Sequence, residues 1–275
     1  MLQIVADSSC DLTEELIKKH NIHIVPLVVN IDGQIYREKV DITPQEFYKK
    51  MAQSSQLPKT SQPPPAAFSD MFKELAKSGP ILCITISSGL SGTYQSACMG
   101  KELSGADVIV FDSLAGSLGH GLQVLKAAEL AESGQSLNAI LGELEKYRKD
   151  MKILVLLNTL DNIVRGGRLS KIQGILGKLL DIRVLLRNNP EGKVVVQSKV
   201  RGRNKFISMV LQEIAKLRPN MTSTDVGITH FANPVDAEFI KRELLEKLHV
   251  RKVLINDMGI IMATYAGNNG MIVSF

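Results

Sequence analysis

The chain has 275 residues, with 44 % hydrophobic and 5 % aromatic side chains, no tryptophan, and 33 lysines and arginines against 28 aspartates and glutamates, a formal charge of +5. That length supports one large domain or two modest ones, and the ordinary apolar fraction excludes a disordered or fibrous class. No apolar run approaches the roughly 18 residues of a membrane span, and the basic residues are mostly interspersed with glutamates without a stripe of stacking aromatics, so neither membrane spanning nor nucleic-acid binding is expected.

The opening Met1-Leu2-Gln3-Ile4-Val5-Ala6-Asp7 lacks the basic flank and long apolar region of a signal peptide, so a cytoplasmic location is expected. Leu2 to Ala6 reads as a strand ending at Asp7-Ser8-Ser9, and Asp11 to Glu15 supplies helix-start chemistry for a helix ending near His20-Asn21. Strand followed directly by helix favours a parallel α/β domain. Ile24 to Ile35 reads as a hairpin or ribbon turning at Asp32-Gly33, and Asp41-Ile42-Thr43-Pro44 begins a helix through Met51. Ser54 to Pro65 carries polar and proline signals too dense for regular structure. Phe68, Met71, Phe72 and Leu75 mark a helix face that Pro80 stops; Ile81 to Ile86 is the next strand, Ser87 to Thr93 a loop, and Tyr94 to Met99 a helix start. The unit repeats: strand Val108 to Phe111, then Asp112-Ser113, then a helix pattern to about Glu132 containing Gly116, Gly119 and Gly121, whose glycines read as helix packing. A helix from Ser136 to Tyr147 leads to the strand Ile153 to Leu157. Several strands thus end in small polar residues, where open α/β sheets place ligands.

Beyond residue 157 the rhythm changes. A glycine-interrupted helix is predicted over Ser170 to Leu180, a hairpin over Ile182 to Leu186 and Lys193 to Val200, and a helix over Arg203 to Leu217. Strands at Val226–Phe231, Lys252–Asp257, Ile260–Thr264 and Met271–Phe275 then enclose a helix from Asp236 to Leu248. The expected class is α/β: an N-terminal parallel-sheet α/β domain over residues 1–157 and an α+β domain with a largely antiparallel sheet over residues 158–275.

Three stretches carry candidate chemistry. In Ser87-Ser88-Gly89-Leu90-Ser91-Gly92-Thr93-Tyr94, two glycines and four aliphatic hydroxyls stand between a strand and a helix start, an arrangement that offers N–H groups and hydroxyls to an oxyanion or simply begins a helix. Thr60-Ser61 offers two more hydroxyls beside a proline-stiffened turn, and Arg165-Gly166-Gly167-Arg168-Leu169-Ser170 offers a cation on a hinge. The catalytic motifs are missing. There is no P-loop, no dinucleotide fingerprint after the first strand and no zinc spacing among the five histidines. Ser91 lies outside a Gly-x-Ser-x-Gly elbow with no identifiable base. Cys10, Cys83 and Cys98 imply no disulfide framework. Hydroxyls and one arginine suit gripping a carboxylate or phosphate without attacking it. The helix Ile172-Gln173-Gly174-Ile175-Leu176-Gly177 fits either the wall of an alkyl tunnel or ordinary core. Lys199, Arg201, Arg203 and Lys205 form a basic cluster that reads equally as a docking patch or a solvated loop.

As a set, Ala6-Asp7-Ser8-Ser9-Cys10-Asp11-Leu12, Thr60-Ser61-Gln62-Pro63, Ser87 to Ala97, Asp112-Ser113 and Gly166-Gly167-Arg168-Leu169-Ser170 resemble, in order and spacing, the DegV family of bacterial fatty-acid-binding proteins. The resemblance implies two domains enclosing one long-chain fatty acid in a tunnel between them. It also implies a cytoplasmic, non-catalytic carrier that needs no cofactor or metal and presents the carboxylate to a separate fatty-acid kinase with a dihydroxyacetone-kinase-like domain. Transient contact with a membrane surface is compatible with this role. By position, Thr60 and Ser61 resemble carboxylate-side hydroxyls and Ser91, followed by Gly92 and Thr93, the serine that hydrogen-bonds the carboxylate. Arg168 resembles the arginine of that network, and Arg201 with Arg203 the basic surface that meets the kinase. Tyr265 of Tyr265-Ala266-Gly267-Asn268-Asn269 stands where the family usually has the imidazole of His-x-Gly-Pro-Gly, and a phenol supplies no positive charge at neutral pH. Arg183-Val184 replaces the usual Lys-Pro. The alternatives are a small-molecule phosphotransferase or hydrolase using the Ser87–Thr93 loop as an anion site, or a plain interaction module with an empty cleft.

Overall fold

The computed structural model describes residues 1–169 and 182–275. The helix expected over 170–180, its Ile172–Gly177 stretch and Ser170 lie outside the described residues. In chain order the elements are β1 (Gln3–Asp7), a single 3-10 turn at Ser8–Cys10, α1 (Glu14–Lys19), β2 (Ile22–Val25), β3 (Val28–Ile31), β4 (Gln34–Arg37), α2 (Pro44–Gln53), β5 (Lys59–Ser61), α3 (Pro65–Leu75), β6 (Ile81–Thr85), α4 (Thr93–Ser104), β7 (Val108–Asp112), α5 (Leu118–Glu132), α6 (Leu137–Asp150), β8 (Ile153–Leu157) and α7 (Asp161–Arg165). From residue 182 follow β9 (Ile182–Asn188), β10 (Val194–Arg201), α8 (Arg203–Leu217), β11 (Asp225–His230), α9 (Pro234–Lys247), β12 (Lys252–Asp257), α10 (Ile260–Ala266) and β13 (Met271–Ser274).

Three sheets organise the described residues. The first is all parallel, in the order β2-β1-β6-β7. The second, β10-β9-β8-β13-β11-β12, is antiparallel except for its last pair. A small antiparallel sheet, β4-β3-β5, completes the set. The expected α/β class with a second, mostly antiparallel sheet therefore holds.

Local chemistry explains the boundaries. Thr43 and Glu46 form a reciprocal capping box, with Pro44 at the first helical position of α2. The β3–β4 hairpin turns through Asp32 (φ +49°) and Gly33 (φ +87°), the positive-φ pair of a tight two-residue hairpin turn. Helix α5 is buried over Leu118–Leu125 because it lies between the two large sheets, against β1 and β6 on one side and β11 and β13 on the other. Its glycines are packing positions, as expected. A Cβ on Gly119 would meet Ile153 Cδ1 at 2.8 Å, and one on Gly121 would meet the Cys10 carbonyl oxygen at 2.4 Å.

Four expectations change. The run from Ile24 to Ile35 is not one hairpin: β2 pairs in parallel with β1, and the chain resumes as β3 after Pro26, which has no N–H for a ladder. Thr60 and Ser61 lie on β5, which pairs with β3, rather than in irregular chain. Ile260–Thr264 is helix, not strand; this apolar segment is buried nearly all round, which removes the periodicity that separates the two. β8 pairs with β13 and β9, so by strand pairing the chain enters the second sheet before Ile153 and not after Leu157. All five of its side chains are buried and apolar, the composition of a central strand in either sheet.

Two glycines of neighbouring helices make opposite predictions. Gly121→Ala overpacks α5 against backbone and is expected to destabilise by about 1–3 kcal/mol. Gly142→Ala in α6, with nothing within 4 Å of the new methyl, is expected to stabilise by about 0.5–1 kcal/mol. Chemical denaturation of both variants checks the pair.

Candidate functional site

The Ser87–Thr93 loop is held from below by Asp7 at the end of β1. Its Oδ2 accepts the Ile86 N–H at 2.7 Å and its Oδ1 the Ser9 N–H at 3.1 Å, so Asp7, fully buried, joins the ends of two parallel strands. The loop's own donors are mostly occupied. The N–H of Ser87 goes to Ala115 O, Ser88 to Asp112 Oδ1, Gly89 to Ser87 Oγ, Leu90 and Ser91 to Ser87 O, and Thr93 to Ser91 Oγ. The expected backbone cradle for an oxyanion is therefore largely absent; the loop presents hydroxyls. Across it lies the β9–β10 turn. Ser87 Oγ donates to Gly192 O at 2.7 Å, and a Cβ on Gly192 (φ +68°) would fall 2.1 Å from that hydroxyl oxygen.

Between this loop and the second sheet lies a cavity of about 340 Å³. Leu27, Ile86, Leu90, Val155, Ile163, Val194 and Ile272 give it apolar walls. Helix α10 adds Ile261, Met262, Tyr265 and Ala266, a spacing that puts all four on one helical face. The polar lining is Thr60, Ser61, Gln62, Ser91, Gly92, Arg168 and Tyr265.

These polar residues are mutually engaged. Thr60 Oγ1 and Tyr265 Oη share a hydrogen bond that ties β5 to α10. The Arg168 guanidinium lies over the Tyr265 ring, 4.7 Å from its centroid, and donates from Nε to Leu90 O at 3.3 Å and from Nη1 to Gly166 O at 2.6 Å. Gly166 makes room for that ring, since a Cβ there would stand 2.4 Å from Tyr265 Cε1. Gln62 is laid over Gly92, whose missing Cβ would meet Gln62 Oε1 at 2.0 Å. Thr93 is fully buried and does not line the cavity; its hydroxyl pairs with Ser91 Oγ at 2.8 Å and orients it.

Sequence reasoning thus picks out Thr60, Ser61, Ser91, Gly92, Arg168 and Tyr265, which share one cavity, and Thr93, which stands behind it. It misses Gln62, although that residue completes the Thr60-Ser61-Gln62 run, and it misses the α10 face because the segment reads as a strand. Arg201 and Arg203 are remote from the cavity lining. Arg201 is exposed at the end of β10, whereas Arg203 binds Asp236 at the start of α9 through Nε (2.7 Å) and Nη2.

Among the described residues Ser91 Oγ pairs with the Thr93 hydroxyl at 2.8 Å and accepts the Thr93 N–H at 3.3 Å, neither of which is a general base. Among the described residues no group of three or more His, Cys, Asp and Glu is placed to hold a metal ion, and no helix is long and apolar enough to cross a membrane.

Comparison with known proteins identifies the family. The model of the DegV family, described as uncharacterised proteins, matches residues 1–275. A DegV domain-containing protein of Clostridium acetobutylicum is 36 % identical over 276 residues, which span 100 % of this chain and 98 % of that protein. The structure reported as fatty acid binding of a DegV family protein from Thermus thermophilus superposes with a TM-score of 0.93 at 33 % identity, covering 100 % of this chain and 99 % of that one. One reported as a stearic acid-binding protein from Eubacterium ventriosum gives a TM-score of 0.92 at 28 % identity, with coverage of 100 % and 97 %. The match over the whole length makes this chain a member of the DegV family.

Proposed function

We propose that this protein is a cytoplasmic carrier that binds one long-chain fatty acid in the 340 Å³ cavity and presents its carboxylate to a separate fatty-acid kinase. The observation that carries the reading is the continuity of apolar walls with a single cluster of hydroxyls, a phenol and a guanidinium. Each buried methylene contributes about 0.8 kcal/mol, so the walls supply affinity. The polar cluster supplies orientation, with a charge-assisted hydrogen bond contributing about 1.5–3 kcal/mol. Arg168 engages carbonyls through Nε and Nη1 among the described residues, and further donors of its five-donor fork serve the anion. Ser61 and Ser91 line the cavity, and Thr60 and Tyr265 exchange their mutual bond for the ligand. Relatives reported as fatty acid binding support the ligand class. The kinase role rests on the family resemblance, with transfer of phosphate carried out by the partner and the acyl phosphate sheltered from water.

Mass spectrometry of lipids co-purifying with the native protein is expected to return a stoichiometric fatty acid. A phosphorylated metabolite in its place would favour the phosphotransferase or hydrolase reading. Ser91→Ala is expected to keep the fold and weaken fatty-acid binding about ten- to hundred-fold, the loss of one hydrogen bond to a charged acceptor, measured by calorimetric titration. Tyr265→His would introduce a cation as pH falls below about 6.5, so this variant should gain carboxylate affinity relative to the parent at pH 5.5 but not at pH 8. Because Arg203 is held by Asp236, Arg201→Ala tests kinase docking more cleanly: acyl phosphate formation should fall while lipid retention is unchanged.

A further inference from the structure

Helix α10, which carries the Tyr265 face of the cavity, is held at its start by two carboxyl groups from distant parts of the chain. Asp11 follows the Ser8–Cys10 turn in a left-handed conformation (φ +52°), and Glu38 follows β4; each is 1 % exposed. Asp11 Oδ1 accepts the Gly259 N–H at 3.1 Å and Glu38 Oε1 the Ile261 N–H at 3.2 Å. These are donors the helix itself leaves unpaired. The remaining oxygens accept from hydroxyls at 2.6 Å, Asp11 Oδ2 from Ser117 and Glu38 Oε2 from Ser8. Both groups converge on one glycine: a Cβ on Gly259 would lie 2.3 Å from Asp11 Oδ1 and 2.5 Å from Glu38 Oε1.

The ionisable groups facing this pair come from β1, the Ser8–Cys10 turn, the residue after Glu38, α2 and β12. Lys39, next to Glu38, is the facing cation, its Nζ donating to Leu12 O at 2.7 Å. Asp7 at the end of β1 adds a like charge near Glu38. Burial pushes the Cys10 thiol up to about 12 and the Tyr48 phenol of α2 still further, so both stay neutral. Asp257 at the end of β12 faces Tyr48 and accepts from Gln45 Nε2 at 2.6 Å. With Asp7, three buried carboxylates beside one half-buried ammonium leave two negative charges uncompensated, and a proton held by the Asp11–Glu38 pair halves that excess.

We infer that Asp11 and Glu38 share a single proton and together clamp the first turn of α10, so that losing this proton on alkalinisation loosens α10 and opens the polar mouth of the cavity. Burial first, and then the Glu38 charge, pushes Asp11 up to about 8, and burial raises Glu38 as well; the proton belongs to the pair. Because the folded value lies above the unfolded one, the unfolded chain binds fewer protons between about pH 4 and 8, and the pair's contribution to stability declines as pH rises through that window. The release of a lipid rests on the proposed ligand; the clamp does not.

The test therefore has two arms on the full chain. In delipidated protein with ¹³C-labelled aspartate and glutamate carboxyls, NMR should show a carboxyl titrating between pH 7 and 9 that is lost in Asp11→Asn. Its absence from the unsubstituted protein overturns the shared proton whether or not lipid binds. In the second arm, release of a fluorescent long-chain fatty acid should accelerate at least fivefold from pH 7 to 9 and change less than twofold in Asp11→Asn, with Glu38→Gln as the second variant should the first not fold. A release rate independent of pH, or the same acceleration in both proteins, overturns the coupling to α10. Failure to bind any fatty acid instead rejects the ligand and leaves the carboxyl titration to decide the clamp.

Discussion

Protein interiors close-pack, and a cavity of about 340 Å³ between the Ser87–Thr93 loop and the second sheet runs against that tendency. A sealed, dry void of that size would cost on the order of 8 kcal/mol at about 24 cal/mol per Å³, comparable with the whole stability of a typical domain. The chain resolves the conflict in two ways. One part of the lining is hydroxyl, amide and guanidinium, which water or a polar head group can satisfy. The rest is aliphatic, and an aliphatic chain recovers the contacts that the walls lack.

Keeping the walls apart is a task for polar ties more than for apolar seams. The hydroxyl of Ser87 reaches the turn at Gly192, Thr60 reaches Tyr265, and Arg168 bridges Leu90 and Gly166 while covering the Tyr265 ring. Helix α5, thinned by Gly119 and Gly121, lets the two sheets approach away from the cavity. Directional bonds specify separation, whereas hydrophobic contact alone would favour closure. Helix α10 depends most on such bonds, because it presents one face to the cavity and is held at its start by Asp11 and Glu38.

The legible parts of the sequence are those whose signals are local. β1 and β6 read as apolar runs because central strands of a parallel sheet are buried on both faces, and Thr43-Pro44 with Glu46 announces α2 unaided. Legibility fails where the signal is not local. The pairing partners of β8 are set by β9 and β13 far along the chain, β5 is three residues among prolines, and Ile260–Thr264 loses its helical period because nearly every side is buried. The same division runs through the site. Hydroxyl runs and Arg168 are visible as residue types, but the loop's occupied N–H groups, the Arg203–Asp236 pair and the meeting of Asp11 with Glu38 at Gly259 exist only once the chain is folded.

The central claim is that the cavity holds an aliphatic chain by its walls and an acid by its hydroxyl cluster. Calorimetric titration of delipidated protein with a series of saturated fatty acids tests it most directly. The account predicts affinity rising about fourfold per added methylene, from about 0.8 kcal/mol each, until the cavity is filled, with the corresponding alcohols binding more weakly at every length. Affinity independent of chain length, or alcohols binding as tightly as acids, would contradict it.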